Sequence, residues 1–354
     1  AAVNAGKTTC EAVTRACIDR INAREKDVQA WQYFDAEQAL EAARALDRSG
    51  KKGALLGVPF NVKDIIETRD MPTEYGSPIY SGFRARADAS CVALSRKAGA
   101  VLLGKAVTTE FANFHPSRTR NPLDPARTPG GSSAGSAASV ADFMVALSVG
   151  SQTSGSTVRP ASFCGVYGYR PTLGELRCAG MMEAAASLDT VGLIARSLED
   201  IALYREVLLG EKPVAIPDNL PAPRIGFCRT HLWPIVEPAT QRLFEDAAQT
   251  LARAGAKVTD VTLPQAFDGI PDAHRLDRHL TQLFQTHEAH LFGKLEFCHG
   301  DLTRLNILSD GPAFYLFDWD FNRVINFKHF DGLALLAAEC MPFHGRAALQ
   351  KQFG

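Results

Sequence analysis

Several features that would place this chain in a special class are missing from its sequence. No apolar run approaches the roughly 20 residues that a membrane-spanning helix needs. The 38 basic and 39 acidic residues leave a net charge of −1, which argues against a broad surface for nucleic acid or an anionic membrane. Residues 1–25 alternate charged with small apolar side chains and lack the apolar core of a signal peptide.

Cysteine and histidine show no metal or disulfide framework either. The eight cysteines are scattered over the whole length, and none forms a C-x-x-C pair. Scattered cysteines in a large chain are typical of reduced thiols in the cytoplasm. We therefore expect a cytoplasmic protein with no cofactor and no metal. Of the nine histidines, only His115 precedes residue 231.

What is present indicates an α/β protein. The 354 residues, of which 46% are apolar and 22% charged, suffice for a large core and suggest two domains. Residues 10–23 and 35–46 have helical patterns, and residues 55–62 are a short apolar run typical of a buried strand. The alternation of helices and strands continues to about residue 265, which predicts a layered α/β architecture.

The most unusual stretch covers residues 128–165. It contains nine serines among many glycines and alanines, and its only charged residues are Asp142 and Arg159. Residues 144–149 read as a buried strand that leads into a second serine- and glycine-rich loop at residues 151–156. A flexible linker has no need of a buried strand, so the pattern favours a packed, nearly charge-free site.

The chemistry of this stretch is constrained by what surrounds it. A Ser-His-Asp triad needs an imidazole, and His115 is the sole upstream candidate. Ser156 does not sit in the nucleophile-elbow pattern G-x-S-x-G. The glycines before Ser132 are not followed by the lysine of a P-loop. Any base that activates a serine must come from elsewhere, and lysine is the available residue type.

Five motifs give the chain a family resemblance. In order they are GVPFNVKD at 57–64, GGSSAGS at 130–136, GSTVRPA at 155–161, the segment 163–172 ending in YRPT, and the segment 189–200 beginning with DTVG. Together they resemble the amidase signature family over roughly residues 1–271. The resemblance implies an α/β fold with a mixed central β-sheet flanked by helices. Family members continue beyond the point where the likeness ends, so we expect this fold to lack its C-terminal part.

The resemblance also implies a catalytic triad of Lys63, Ser132 and Ser156. Ser156 would be the nucleophile that forms an acyl-enzyme, Ser132 would relay protons after a cis peptide bond, and Lys63 would be the base. The backbone N–H groups of Thr153, Ser154, Gly155 and Ser156 would form the oxyanion hole. Lys63 ends an apolar strand, where desolvation favours its neutral form. Taken singly, these residues have ordinary explanations, namely a solvated lysine and serines in turns.

Three further residues near the triad carry expectations. Ser154 stands where many family members have glycine, so a positive φ there would be strained. Arg159 lies three residues after the nucleophile and would anchor an acidic substrate or, equally well, form an internal salt bridge. Ser133 is expected, with Arg159, to contact the substrate.

The composition shifts near residue 275, where we place a domain boundary between residues 1–275 and 276–354. Asp301 and Asn306 have the spacing of a kinase catalytic loop, and Asp318 is placed like a Mg²⁺-binding aspartate. The segment resembles a C-lobe fragment of the aminoglycoside and choline phosphotransferase family. No glycine-rich loop or strand lysine precedes it in a kinase context, so we do not expect an active kinase. Asn306 and Asp318 are the weak alternative for a metal site.

These observations predict a serine amidohydrolase that cleaves a carboxamide C–N bond in a small molecule. The alternatives are a subunit of an aminoacyl-tRNA amidotransferase, an ATP-dependent small-molecule phosphotransferase that uses Asp301, Asn306 and Asp318, and an inactive remnant. As partners we expect a small-molecule amide substrate, no nucleic acid and no membrane. Self-association into a homo-oligomer stays open.

Overall fold

The protein is described here by a computed structural model. It describes residues 1–113, 115–216, 221–229 and 233–262, together with the backbone of three short strands between residues 307 and 326. The contacts divide the chain into two units, the first of which is Ala1–Ile216. The second unit holds the remaining described segments. The predicted boundary near residue 275 lies outside the described residues and stays a prediction.

Two helices open the first unit, and both are capped by side chains. Helix α1, Cys10–Val28, begins after Thr9, whose Oγ1 accepts the Ala12 N–H at 3.0 Å. Helix α2, Ala36–Ser49, begins after Asp35, which caps it in the same way. Each cap satisfies one backbone donor that the first helical turn leaves unpaired. The two helices expected from the sequence are confirmed, and α1 is longer than its pattern suggested.

A six-stranded mixed sheet forms the centre of the first unit. Its strands are β1 (Trp31–Phe34), β2 (Pro59–Lys63), β3 (Val101–Ala106), β4 (Leu147–Gln152), β5 (Tyr167–Tyr169) and β6 (Thr190–Ala195), arranged in the order β1-β3-β2-β4-β6-β5. Strand β2 is parallel to both β3 and β4, whereas the other pairs are antiparallel. Every residue of β2, β3, β4 and β6 is buried. The sheet must therefore be covered on both faces.

The two faces of the sheet are covered by different helices. Neighbouring strand residues point to opposite faces, and accordingly Leu193 and Ile194 belong to two separate hydrophobic clusters. Residues of helices α3 (Ser90–Lys97) and α6 (Leu198–Leu209) lie in the Leu193 cluster. Residues of α1, α2, α4 (Ala134–Ala141) and the short α5 (Val158–Phe163) lie in the Ile194 cluster. This layering confirms the predicted α/β class.

The described parts of the second unit are much less buried. Strands β7 (Arg224–Cys228) and β8 (Lys257–Val261) are parallel and are connected through helix α7 (Pro238–Arg253). No residue of these three elements is buried. Strands β9 (Ile307–Ser309), β10 (Phe314–Asp318) and β11 (Arg323–Asn326) form an antiparallel sheet. Among the described helices, none is long and apolar enough to cross a membrane.

Short 3₁₀ helices complete the list of elements. They cover Pro78–Tyr80, Glu110–Ala112 and Trp233–Ile235. Phe111, inside the second of them, has a φ of 49°, a left-handed conformation that is uncommon for a bulky residue. Its N–H donates to the Tyr75 carbonyl at 2.8 Å, and Tyr75 itself has a φ of 55°. This contact ties the 3₁₀ helix to the loop that follows β2.

Candidate active site

Lys63 and Ser132 meet in a fully enclosed contact. Lys63 is the last residue of β2 and is 0% exposed. Its Nζ donates to Ser132 Oγ at 2.6 Å. Ser132 is 2% exposed and follows a cis peptide bond from Gly131. The interpretation of Lys63 as a solvated residue at a strand end is therefore wrong, because the side chain reaches no solvent.

Ser151 is a second partner of the lysine. Its Oγ accepts from Lys63 Nζ at 2.8 Å. Ser151 lies on β4, which runs parallel to β2 and pairs Val62 with Val149, so the carboxyl ends of the two strands bring Lys63 and Ser151 together. Ser151 was predicted to lie in the second serine-rich loop and had no predicted role. Its position at the end of a strand beside that of Lys63 was the signal that could have identified it.

Ser156 follows β4 in the loop that begins at Thr153. It is 9% exposed, more than Ser132, and its carbonyl accepts the Ser133 N–H at 3.2 Å. This bond joins the two serine-rich loops directly. Ser156 thus lies beside the segment that carries Ser132.

The side chain of Gln152 holds the backbone around the loop from Thr153 to Ser156. Gln152 Oε1 accepts the N–H groups of Thr157 and Val158, both at 3.0 Å, and its Nε2 donates to the Ser154 carbonyl at 2.9 Å. The N–H groups of residues 153–156 themselves donate to no acceptor within the described part of the chain. Backbone donors of this kind are what an oxyanion hole needs, and their role as one stays a prediction.

Ser133 occupies a structural position. It is 0% exposed, its Oγ donates to the Ser151 carbonyl at 3.2 Å, and it accepts the Ser151 N–H at 3.3 Å. A side chain at Gly150 would come within 2.7 Å of Ser133 Oγ, so the close approach of the two segments requires a glycine there. The Ser133 hydroxyl is thus hydrogen-bonded on both sides to the backbone of Ser151, and its contact with a substrate stays a prediction.

Burial changes the proton affinity of the lysine. Desolvation lowers the pKa of Lys63 from its ordinary value to about 7, and the negative charge of Asp189 opposes this shift. Among the described residues Lys63 forms no ion pair, since its neighbour Asp64 pairs with Lys105 at 3.1 Å. A salt bridge between Lys63 and Asp64 is therefore not part of the structure. A lysine with a pKa near neutrality can accept a proton at ordinary pH.

Asp189 was named in a motif but received no role from the sequence. Its Oδ1 accepts from Thr153 Oγ1 at 2.6 Å, and its Oδ2 accepts the N–H groups of Ala184 and Ala185 at 2.7 and 2.8 Å. It immediately precedes β6, whose first residue, Thr190, pairs with Gln152. This register places Asp189 opposite Thr153, at the start of the loop that carries Ser156.

The structure shows neither a salt bridge at Arg159 nor a positive φ at Ser154. Arg159 is exposed and donates from Nε to the Gly131 carbonyl at 3.1 Å. It has no carboxylate partner in the part of the chain that the structure describes, so the internal salt bridge is not found there. Ser154 has no positive φ, and the strain expected from serine at a glycine position is absent.

Most of the predicted phosphotransferase-like segment lies outside the described residues. Asp301 and Asn306 lie outside the described residues, and Asp318 ends β10, of which only the backbone is described. Within the described residues, no group of three histidine, cysteine or acidic side chains is placed to hold a metal ion. The metal alternative at Asn306 and Asp318 stays a prediction.

Comparison with known proteins identifies the family. A family model described as Amidase matches residues 12–274. The chain belongs to the amidase family. The resemblance found in the sequence is thereby confirmed for this region, whereas the match ends before the phosphotransferase-like segment, which it does not support.

Individual amidase relatives are similar over most of this chain. A glutamyl-tRNA(Gln) amidotransferase subunit from Chloroflexus aggregans is 35% identical, and the alignment covers 76% of this chain and 60% of that protein. Native peptide amidase from Stenotrophomonas maltophilia is 29% identical with a TM-score of 0.66, covering 84% of this chain and 71% of that one. The structure of 6-aminohexanoate cyclic dimer hydrolase is 28% identical in sequence with a TM-score of 0.66, covering 73% of this chain and 59% of that one. The chain thus spans three fifths of the length of the amidotransferase subunit.

Proposed function

We propose that this amidase-family chain is a serine amidohydrolase that cleaves a carboxamide C–N bond through an acyl-enzyme on Ser156. The observation that carries the proposal is the buried contact between Lys63 Nζ and Ser132 Oγ at 2.6 Å. A desolvated lysine with a pKa of about 7 can supply the base that activates a serine. Peptide amidase and cyclic dimer hydrolase, both similar to this chain, support the reaction class.

In each half of the reaction, one proton moves to Lys63 and back. Ser156 Oγ attacks the carbonyl carbon, and its proton passes through the Ser132 hydroxyl to neutral Lys63. The C–N bond then breaks, and the leaving amine takes this proton back along the same route. Water repeats the sequence to release the acid from Ser156. The free N–H groups of residues 153–156 receive the negative oxygen of each tetrahedral intermediate.

Arg159 supports a finer proposal about the substrate. Its guanidinium is exposed, is held by the Gly131 carbonyl and has no carboxylate partner in the described regions. Since arginine pairs bidentately with carboxylates, we propose that the preferred amide carries a carboxylate. For Ser133 we propose a bracing role behind Ser151 in place of substrate contact, because its hydroxyl is buried and already bonded.

A serine-reactive fluorophosphonate tests the function without knowledge of the substrate. Intact-mass analysis of the full chain is expected to show one adduct, which peptide mapping places on Ser156. The variant Ser156→Ala should lose it, while Ser162→Ala, an exposed serine on α5, should keep it. An adduct that survives Ser156→Ala would overturn the assignment of the nucleophile, and a wild type without any adduct would support the inactive remnant.

The second candidate function is that of one component of an amidotransferase. It is favoured by the likeness to the glutamyl-tRNA(Gln) amidotransferase subunit of Chloroflexus aggregans. A component of this kind would need partner chains, whereas a free-standing amidohydrolase would turn over alone. Ammonia release from a panel of small carboxamides by the isolated chain separates the two. Labelling of Ser156 without any turnover would favour the amidotransferase.

The phosphotransferase alternative is tested separately. Because no nucleotide cradle is recognisable in the sequence, Mg²⁺-ATP should cause no thermal shift and no turnover with amino alcohols or aminoglycosides. ATP binding that is abolished by Asp318→Ala would promote this alternative.

A cytoplasmic location also stays a prediction, in keeping with the six described cysteines, which are all free.

A further inference from the structure

We propose that Asp189 is a positioning residue, which holds the loop of residues 153–156 in place and supplies the counter-charge for Lys63 after Lys63 has taken the serine proton. The inference rests on the proposed function and adds to it a residue that none of the catalytic roles above includes. It is carried by the hydrogen bonds of the Asp189 carboxylate and by its place in the sheet.

The carboxylate connects two loops by three hydrogen bonds. One oxygen accepts from the hydroxyl of Thr153, and the other accepts the N–H groups of Ala184 and Ala185. Asp189 is only 7% exposed, so these donors replace the water that a surface carboxylate would have. A carboxylate is an acceptor-only group, and three donors around it give it a fixed orientation. The anchored oxygen in turn fixes the first residue of the loop that ends in Ser156.

Sheet register explains why Asp189 stands at this point. Strands β4 and β6 are antiparallel and pair Gln152 with Thr190. Thr153 follows the last residue of β4 and Asp189 precedes the first residue of β6, so both lie just outside the ladder at the same end of the sheet. Lys63 ends β2, the other neighbour of β4. The carboxylate is thereby brought to the carboxyl end of β2 without touching the lysine itself.

The negative charge of Asp189 raises the pKa of Lys63 without a direct bond between the two side chains. Asp189 is the charged group whose field favours the protonated lysine. Among the described residues, Asp64 and Lys105 form their own buried ion pair, and the exposed Arg159 donates to the Gly131 carbonyl. When Lys63 becomes an ammonium during acyl transfer, the fixed carboxylate stabilises it. A preorganised charge of this kind needs no rearrangement at the moment of reaction.

Two variants separate the two roles. Asp189→Asn removes the charge and keeps an oxygen that can accept from Thr153, while its NH2 group takes the place of the oxygen that accepts from Ala184 and Ala185. Thr153→Val removes the contact but keeps the charge. The rate at which the fluorophosphonate labels Ser156 in the full chain is measured by intact mass across pH 5–10. In the wild type this rate should rise with a midpoint near the Lys63 pKa of about 7.

For Asp189→Asn we expect the midpoint to move to lower pH by about one unit, since loss of a negative charge disfavours the ammonium form. The plateau rate should fall about 3- to 10-fold, because a weaker base accepts the proton less readily. For Thr153→Val the plateau should fall by a similar factor while the midpoint stays in place. Glu183→Gln, which removes an exposed carboxylate from the same connecting segment, should change neither.

An unmoved midpoint in Asp189→Asn, or an equal shift in Glu183→Gln, would overturn the proposal. If Asp189→Asn does not fold, the test uses Asp189→Glu and Thr153→Val. Both variants keep the charge, so the midpoint of the labelling rate must stay while the plateau rate falls. An unchanged plateau rate in Thr153→Val refutes the positioning role. Failure of the wild type to be labelled would refute the proposed function. Labelling of the wild type together with any of the contrary results above would refute this inference alone.

Discussion

Two lysines on neighbouring parallel strands illustrate how the same residue can serve different ends. Lys63 ends β2 and Lys105 lies near the end of β3, and both are 0% exposed. Lys105 Nζ lies 3.1 Å from a carboxylate oxygen of Asp64 and donates to Thr73 Oγ1 at 2.7 Å. Among the described residues, the hydrogen-bond partners of Lys63 Nζ are the hydroxyls of Ser132 and Ser151.

Burial acts on both lysines in the same direction, and their partners make the difference. Desolvation lowers the pKa of each, and for Lys105 the adjacent Asp64 opposes this in direct contact. For Lys63 the opposing charge, Asp189, acts without a direct bond. A lysine tied to a carboxylate is held in one place as part of the framework. A lysine that faces only hydroxyls can exchange a proton with them, which is what general-base catalysis requires.

The largest expected effect comes from Lys63 itself. Lys63→Ala should reduce Ser156 acylation by about 10²- to 10⁴-fold, the usual contribution of a general base. Lys63→Arg should do no better, because arginine does not give up its proton at usable pH. The measurement is the rate of fluorophosphonate labelling. Near-normal labelling of Lys63→Arg would mean that Lys63, like Lys105, is only structural.

Lys105 should matter for stability instead. Lys105→Met leaves Asp64 buried and unpaired, and breaking a buried ion pair costs about 3–5 kcal/mol. The double variant Lys105→Met/Asp64→Leu should recover most of this loss, because no lone charge remains. Urea unfolding measures the difference, and Lys97→Met, at an exposed position, serves as the control. Equal stability of the single variant and the wild type would contradict a structural role for this pair.

The pH dependence of stability distinguishes Lys63 further. Its folded-state pKa of about 7 lies below the unfolded value, so the unfolded chain binds more protons between these two values. Stability should therefore rise with pH through this window, by about 3 kcal/mol between pH 7 and 10. The difference in unfolding free energy between the wild type and Lys63→Met isolates this contribution. A difference that does not change with pH would show that the pKa of Lys63 is not depressed in the folded protein.

The smallest expected effect concerns Ser151, the second hydroxyl that accepts a hydrogen bond from Lys63. Ser151→Ala removes one acceptor from the ammonium and should slow labelling of Ser156 about 10-fold, the value of one hydrogen bond. Ser148→Ala provides a matched control, because Ser148 lies on the same strand and its buried hydroxyl has no partner in the described structure. Similar rates for both variants would show that the Ser151 hydroxyl does not assist Lys63.

Strand β4 shows where reading the sequence falls short. The apolar run predicted a strand at residues 144–149, whereas β4 covers Leu147–Gln152. Pairing with β2 begins only at Leu147, opposite Phe60, and the strand continues through Ser151 and Gln152. Those two polar residues are buried because hydrogen bonds satisfy them. Hydrophobic patterns cannot reveal a strand end that is stabilised in this way.

The order of residues along the chain is enough to assign this protein to its family. Its motifs contain the lysine and the two serines of the proposed triad, and its apolar alternation specifies a layered α/β fold. The partners of the charged groups emerge only in the folded molecule, where Asp64 pairs with Lys105 and not with Lys63, and Asp189 meets Thr153. Strand register and burial bring together residues that are far apart in the chain. The proton affinity of a side chain depends on those surroundings more than on its neighbours in sequence.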